Sequence, residues 1–199
     1  GALWIADFYR LVLEHPQWIP NDVEQRIDLR SGSDRGRLYR VYPDGTTPRS
    51  IPNLANKTTA KLVAALNNPS GWQRDTAQRL LVHRNDKSAA KPLAKLLQTS
   101  NNPKARLHAL CTLDGLGQLQ TEHAISSMSD SHPGVREHAI RVSEVLLRSG
   151  PHAALGQALR RLVGDTEIRV RRQLAFSLGE WDSPTAGELL GRLAKASAG

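Results

Sequence analysis

Hydrophobic residues recur every three or four positions along residues 51–199, which is the spacing that places them on one face of an α-helix. Leucines dominate these faces, for example Leu93 and Leu97 in one segment and Leu110 and Leu113 in the next. The pattern predicts paired helices at about 57–66 and 73–83, 88–97 and 104–116, 122–128 and 134–148, and 152–163 and 168–179, followed by a single helix at about 183–196.

An Arg followed three residues later by an Ala recurs in the second helix of each predicted pair. The copies are Arg74/Ala77, Arg106/Ala109, Arg136/Ala139 and Arg172/Ala175. Successive Arg residues are about 30 to 36 positions apart, which is in the range of stacked helical-hairpin repeats. The sequence therefore predicts that most of the chain is a solenoid, a class of fold that usually binds or holds other molecules.

A small polar or acidic residue precedes an Arg by six positions in every copy. These residues are Asn68 before Arg74, Ser100 before Arg106, Asp130 before Arg136 and Asp165 before Arg171. In the fourth copy the six-residue interval from Asp165 leads to Arg171, whereas the three-residue interval to Ala175 begins at Arg172. The register of this copy is therefore ambiguous by one residue. We expect each turn residue to reach the Arg of its own copy, with true charge pairs for Asp130–Arg136 and Asp165–Arg171.

The first 50 residues have a different pattern. Aromatic and β-branched residues are concentrated at 2–10, and hydrophobic and polar residues alternate at 36–42, so two strands are predicted. The long segment between them contains several prolines and glycines, and we expect a loop. A further proline and glycine cluster at 43–52 marks a boundary, which predicts two domains, residues 1–50 and 51–199.

Several stretches resemble known families. The repeat pattern resembles the HEAT repeat family. The stretches at 1–20, 36–43, 71–81, 105–110 and 170–180 together resemble the large planctomycete-type membrane-bound dehydrogenases, which are related in name to sorbosone dehydrogenases. We therefore predict an all-α fold, a HEAT-like α-α superhelix of about four hairpins plus a half unit, preceded by a small strand-and-loop segment.

That resemblance carries implications for the larger protein. In those proteins a sugar-dehydrogenase-like β-propeller is followed by HEAT repeats and then by a cytochrome c domain with a CxxCH haem site. Residues 1–50 would then be the last part of the closing propeller blade. The parent protein would be an exported oxidoreductase, periplasmic or membrane-associated, with haem c outside this segment and no targeting signal within it.

Candidate catalytic and metal-binding residues are few. Cys111 is the one cysteine of the chain, so this segment cannot supply CxxCH. No two histidines stand three or four positions apart, which is the spacing that a metal site on one helix face needs. Asp7 with Arg10 is more typical of a loop brace than of a catalytic pair. We predict no catalytic, cofactor-binding or metal-binding residue here, and no stretch is apolar enough to span a membrane.

The positive charge of the chain admits a second function. The formal net charge is +8, and the first 50 residues contribute none of it. Lysines at intervals of four could form a basic stripe on the first helices of two hairpins, comprising Lys57, Lys61, Lys87, Lys91 and Lys95. With Trp72 and Trp181 as stacking platforms, such a stripe could bind nucleic acid. A solvated helix face explains the same lysines more simply.

The sequence as a whole favours a non-catalytic scaffold. We expect an interaction module of a larger exported sugar dehydrogenase, with partners that are other domains of the same chain or another protein. The alternatives are a nucleic-acid-binding HEAT-repeat protein and a general protein-docking scaffold unrelated to redox chemistry.

Overall fold

A computed structural model describes residues 2–13, 15–48, 50–149 and 153–197, and the chain divides into two compact units, Gly1–Pro52 and Asn53–Gly199. The N-terminal unit contains the two predicted strands, β1 (Leu3–Asp7) and β2 (Arg37–Val41), paired antiparallel. The segment between them includes a 3₁₀ turn and the four-residue helix α1 (Asn21–Glu24).

Large aromatic side chains of this unit lie on its surface. Trp4, Phe8 and Trp18 are each more than half exposed, and Tyr39 is 41% exposed.

The second unit is an all-α solenoid, which confirms the predicted fold class. Its described part contains four hairpins and a final single helix. They are α2 (Thr59–Ala65) with α3 (Gly71–Arg84); α4 (Ala90–Thr99) with α5 (Pro103–Gly115); α6 (Thr121–Ser127) with α7 (Pro133–Val142) and its extension α8 (Glu144–Leu147); α9 (Ala153–Arg161) with α10 (Ile168–Leu178); and α11 (Pro184–Ser197). The start predicted for α9, at His152, lies outside the described residues.

The second helices of the hairpins form a continuous layer. Helix α3 packs on α5, α5 on α7, and α7 on α10, while α2 contacts α4 and α6 contacts α9 in the other layer. One hydrophobic core runs through the whole unit, from Leu62 through Leu110 and Ile140 to Leu189. No helix in the described part of the chain is long and apolar enough to cross a membrane.

The predicted helix at 134–148 is interrupted at one residue. Ser143 is fully buried, and its hydroxyl donates a hydrogen bond to the backbone carbonyl of Ile140 at 2.7 Å. A serine that bonds back to its own helix competes with the helical backbone pattern. The helix therefore divides into α7 and α8 at this point, which hydrophobic spacing alone did not reveal.

Small residues allow the second helices to approach one another. Ala77, Ala109 and Ala139 are all fully buried. Each stands three residues after the repeated Arg, on the side of the helix that faces the core. A larger side chain at this position has no space unless neighbouring helices move apart.

Ala139→Leu should therefore lower the free energy of unfolding by about 1–3 kcal/mol, because overpacking strains the helix contacts. Lys91→Ala is the control, since Lys91 is exposed on α4. Thermal unfolding monitored by circular dichroism would measure both. Equal shifts of Tm in the two variants would contradict this arrangement of the helices.

Candidate functional site

The turn between the two helices of each hairpin has the same local structure in all four copies. The side chain of the turn residue accepts a hydrogen bond from the backbone N–H two positions later, at 2.8–3.2 Å. The donors are Ser70 for Asn68, Asn102 for Ser100, His132 for Asp130 and Glu167 for Asp165. Asn, Ser and Asp side chains form such turns readily, and the turn leads into the following helix.

The repeated Arg binds the backbone of this turn. In each copy Nη1 donates to the carbonyl six residues earlier. The bonds are Arg74 to Asn68 (2.7 Å), Arg106 to Ser100 (2.8 Å), Arg136 to Asp130 (2.8 Å) and Arg171 to Asp165 (2.5 Å). The predicted interval of six residues therefore marks a contact to the turn carbonyl.

The turn carboxylates pair with the Arg of the preceding hairpin. Asp130 accepts from Nε and Nη2 of Arg106, both at 2.6 Å. Asp165 accepts from the same atoms of Arg136 at 2.7 and 2.8 Å. The expected charge pairs within each copy are therefore wrong. Arg136 and Arg171 bind the backbone carbonyls of their own turns through Nη1, whereas the two carboxylates bind Nε and Nη2 of the arginine in the preceding hairpin.

We call this set the arginine ladder, comprising Arg74, Arg106, Arg136 and Arg171 with the turn residues Asn68, Ser100, Asp130 and Asp165. Its two complete contacts use the bidentate geometry in which a planar guanidinium matches a carboxylate. The side chains of Arg136 and Asp165 are only 14% and 6% exposed, so water screens the contact weakly. The ladder therefore connects three successive hairpins through two contacts, each of which consists of two directional hydrogen bonds.

Burial and hydrogen bonding act in opposite directions on the ladder carboxylates. Burial raises the pKa of Asp165, but hydrogen bonds from Arg136 and from the backbone N–H of Glu167 outweigh it, so the pKa lies below its ordinary value. The pKa of Asp130 is lowered in the same way, against burial, by Arg106 and the backbone N–H of His132. Both residues therefore stay ionised at neutral pH.

The structure resolves the register of the fourth copy. Arg171 holds the ladder position, so the residue three positions later is Leu174, which is fully buried. Ala175 is only half-buried and is not the counterpart of Ala139. The expected Arg172/Ala175 pair is therefore wrong, and a leucine replaces the repeated alanine in this hairpin.

The first position of the ladder is incomplete. Arg74 is 8% exposed, and its Nε is buried without a hydrogen-bond partner. The residue that would face it, by analogy with Asp130 and Asp165, is Ser100, which has no carboxylate. Ser100 instead lies 3.5 Å from Asn67. A buried donor without an acceptor costs stability.

The histidines and the cysteine of the second-helix layer also contact neighbouring hairpins. Nδ1 of His108 lies 2.6 Å from Oε1 of Gln78, and Nδ1 of His138 lies 4.0 Å from the sulfur of Cys111. Burial lowers the pKa of both histidines and raises the pKa of Cys111. Among the described residues, no three His, Cys, Asp or Glu side chains converge as metal ligands.

The residues present do not fit a c-type haem. Such a haem takes two thioether bonds and an adjacent histidine ligand from CxxCH, and Cys111 is the one cysteine of the chain. Burial keeps its thiol protonated, and Nη2 of Arg141 lies 3.7 Å from it.

The lysines of the predicted basic stripe do not have one environment. All five are exposed, but one of them also makes a contact to another helix. Lys87 precedes α4 in a 3₁₀ turn, and its ammonium donates to the backbone carbonyl of Leu116, at the end of α5. Cations near the last carbonyls of a helix are stabilising. Lys87 therefore has a structural contact that the sequence did not indicate.

Asp7 and Arg10 of the first unit both contact backbone. Asp7 accepts from the N–H of Tyr9 at 3.0 Å, and Arg10 donates to the carbonyl of Leu29 at 2.9 Å. Gly32 lies against Tyr9, since a Cβ at Gly32 would come within 1.8 Å of the Tyr9 carbonyl oxygen. These contacts hold the long loop against the end of β1.

A family model described as a domain of unknown function (DUF7133) matches residues 1–45. A search of curated proteins finds no match. Two engineered proteins from the Northeast Structural Genomics Consortium are each 18% identical, with TM-scores of 0.45 and 0.44; the matches cover 68% of both chains for the first, and 69% of this chain and 70% of that chain for the second.

A designed armadillo repeat protein in complex with the peptide (KR)4 is 16% identical, with a TM-score of 0.43 over 71% of each chain. These likenesses are too distant to support any argument about binding. The helical-repeat fold rests on the helix contacts described above.

Ser100→Asp should complete the first position of the ladder. The new carboxylate would face Nε of Arg74 and raise the free energy of unfolding by about 1–2 kcal/mol, since hydrogen bonds to charged groups contribute about that much. Ser100→Asn is the matched control, because an asparagine side chain has the same shape as an aspartate side chain but carries no charge. Urea denaturation would compare the variants, and a gain no larger for Asp than for Asn would contradict the assignment.

Asp165→Asn should lower the free energy of unfolding by about 1–3 kcal/mol at pH 6, because Arg136 loses its carboxylate. The folded pKa of Asp165 lies below the unfolded value of about 3.9. The stability that the ionised Asp165 contributes to the folded state is therefore complete above about pH 3.9, and it is lost as the pH falls through the folded pKa.

The difference in free energy of unfolding between wild type and Asp165→Asn should accordingly become smaller when the pH is lowered from 6 to 3.5. Urea denaturation at each pH would measure it. Asp182→Asn, at an exposed residue, is the control and should differ little from wild type at either pH. A gap for Asp165→Asn that widens toward low pH would show that the carboxylate is not stabilised by Arg136.

Proposed function

We propose that the helical unit is a non-catalytic scaffold that holds other protein segments at a fixed separation. The observation that carries this proposal is the use made of its least exposed charged groups. The carboxylates of Asp130 and Asp165 are each bound by two nitrogens of an arginine from the neighbouring hairpin. This holds even for Asp130, which lines a cavity of about 360 Å³ together with its partner Arg106. These carboxylates therefore fix the position of one hairpin against the next.

Exposed charges in the same unit also connect successive hairpins. Ion pairs join Arg148 to Glu180 (2.5 Å), Arg160 to Glu188 (3.0 Å) and Arg172 to Glu137 (3.9 Å). Each of these solvent-exposed pairs contributes little alone. Together with the ladder they restrain the relative position of hairpins at several points along the stack.

A cavity of about 680 Å³ near the end of α8 does not suggest a reaction. Its charged lining residues include Arg148 and Glu180, which pair with each other, and Arg160, which pairs with Glu188. Trp181 lies against Gly156 and fills one side. These contacts are those of a structural cleft between hairpins.

The same proposal assigns this scaffold to a larger exported dehydrogenase with a haem c domain. Its support is the resemblance of residues 1–20, 36–43 and the repeat stretches to that family. In this setting the first unit is the end of a propeller blade, the solenoid separates the propeller from the haem domain, and the chemistry belongs to residues other than these.

Distance measurements between spin labels test the scaffold. Labels on Lys61→Cys in α2 and Lys195→Cys in α11, in a Cys111→Ser background, should give one narrow distance distribution, because the hairpins are fixed in a single register. Asp165→Asn should broaden it. A pair at Lys61→Cys and Lys104→Cys, which does not span the altered contact, is the control. A broad or multiple distribution in the unaltered chain would contradict a rigid spacer.

Duplex DNA binding separates this proposal from the nucleic-acid alternative. A labelled 20-mer should show no micromolar binding at about 50 mM salt. Binding that is micromolar there and collapses at about 200 mM salt would favour phosphate contact, because counterion release makes such binding steeply salt-dependent. Lys91→Glu with Lys95→Glu would then show whether the basic stripe is the surface responsible.

A further inference from the structure

The ladder Arg of the first hairpin is held in its own turn in the same way as that of the third. Nη1 of Arg74 donates to the two turn carbonyls six and five residues earlier, at 2.7 and 2.9 Å. Nη1 of Arg136 donates to the equivalent pair of carbonyls at 2.8 and 3.2 Å. In Arg136 the remaining edge of the guanidinium, formed by Nε and Nη2, binds the carboxylate of Asp165. The two arginines therefore differ only in what meets this second edge.

The second edge of the Arg74 guanidinium lacks an acceptor. Nε is buried without a hydrogen-bond partner, and no hydrogen bond within the described part of the chain involves Nη2. Arg74 as a whole is only 8% exposed. A buried cation whose donors lack acceptors is destabilising, because nothing replaces the water that it has lost. An acceptor from outside the chain would remove this cost.

The place of the missing carboxylate lies beside Ser100. The hydroxyl of Ser100 accepts from the backbone N–H of Asn102 at 3.2 Å and lies 3.5 Å from Oδ1 of Asn67. Nδ2 of Asn102 donates to the same oxygen of Asn67 at 3.2 Å, so the two hairpins are joined at this point. Serine is two heavy atoms shorter than aspartate, and two such atoms occupy about 30 Å³, the share of one water molecule in the liquid. The contact therefore suits an occupant of that size and excludes larger ones.

The charge at this place favours a negative occupant over a neutral one. Arg74 takes part in no ion pair among the described residues, since Asp75, the next residue, is 74% exposed and lies 3.7 Å from Nε2 of His108. The pKa of His108 is lowered by burial and then by the positive charge of Arg74, although Asp75 acts against both. A water molecule would accept a hydrogen bond and leave this charge uncompensated. A small anion does both.

We propose that a chloride ion binds between the first two hairpins, at Nε and Nη2 of Arg74. The ion makes the contact with Arg74 that the carboxylate of Asp165 makes with Arg136. It completes the first position of the ladder, and it is taken up as the two hairpins close on each other. The spacer role does not require this ion, and the site does not depend on what the solenoid holds.

Urea denaturation in chloride and in gluconate tests the site, because gluconate is too large for it and the ionic strength can be kept constant. An anion that binds only the folded chain lowers the unfolding equilibrium constant by the factor 1 + [anion]/Kd. For a site with a Kd of about 20 mM, sodium chloride at about 200 mM should lower that constant about tenfold relative to sodium gluconate.

Two variants at one position separate the site from a general effect of the salt. In Ser100→Asp the new carboxylate takes the place of the ion, so the unfolding equilibrium constant should differ less than about twofold between the two salts. Ser100→Ala is the matched control, because it leaves the place open and should keep the chloride dependence of wild type. Equal dependence in wild type and Ser100→Asp, or no dependence in wild type, would overturn the proposal.

Crystals grown in bromide would locate the ion directly. Bromide replaces chloride and scatters anomalously, so wild type should show an anomalous peak within hydrogen-bond distance of Nε and Nη2 of Arg74, and Ser100→Asp should show none there. A water molecule at this place without an anomalous peak would contradict the assignment. The label-distance result for the scaffold does not depend on any of these outcomes.

Discussion

A buried arginine must find acceptors for the N–H groups that it removes from water, and this requirement connects the hairpins of the solenoid. Nη1 of Arg136 donates to the carbonyls of Asp130 and Ser131 in its own turn, and Nε and Nη2 donate to Asp165 of the next hairpin. Hydrophobic packing alone holds the helices together without fixing how far each hairpin is rotated or shifted against its neighbour. The bidentate contact adds that geometric restraint, because it is satisfied in one relative position.

The two incomplete positions show what the ladder contributes. At Arg74 the facing residue is Ser100, and Nε of the arginine is left buried without a partner. At Arg171, Nη1 donates to the carbonyl of Asp165, and no carboxylate of the described residues binds Nε or Nη2. The same residue type thus forms a complete link where the following turn supplies an aspartate and an incomplete one where it does not. Such contacts are characteristic of repeat proteins, in which each unit mainly contacts its neighbours.

Hydrophobic spacing was sufficient to predict the helices, since a one-sided apolar pattern reflects burial directly. It also indicated the two strands of the first unit. It could not reveal that Asp130 binds Arg106, because the partners are distant in sequence and stacking brings them together. The division of α7 from α8 depends on one buried hydroxyl at Ser143, and the role of Lys87 depends on a carbonyl of another helix. Such contacts are determined by tertiary structure, and a local pattern does not contain them.

A double-mutant cycle on Arg136 and Asp165 tests the central claim most directly. Unfolding free energies of Arg136→Gln, Asp165→Asn and the double variant would be measured by urea denaturation at pH 7. We predict a coupling energy above about 1 kcal/mol, because the two side chains act as one contact between hairpins. A coupling energy within about 0.3 kcal/mol of zero, the range expected for independent sites, would show that the hairpins are held by apolar packing alone and would contradict this account.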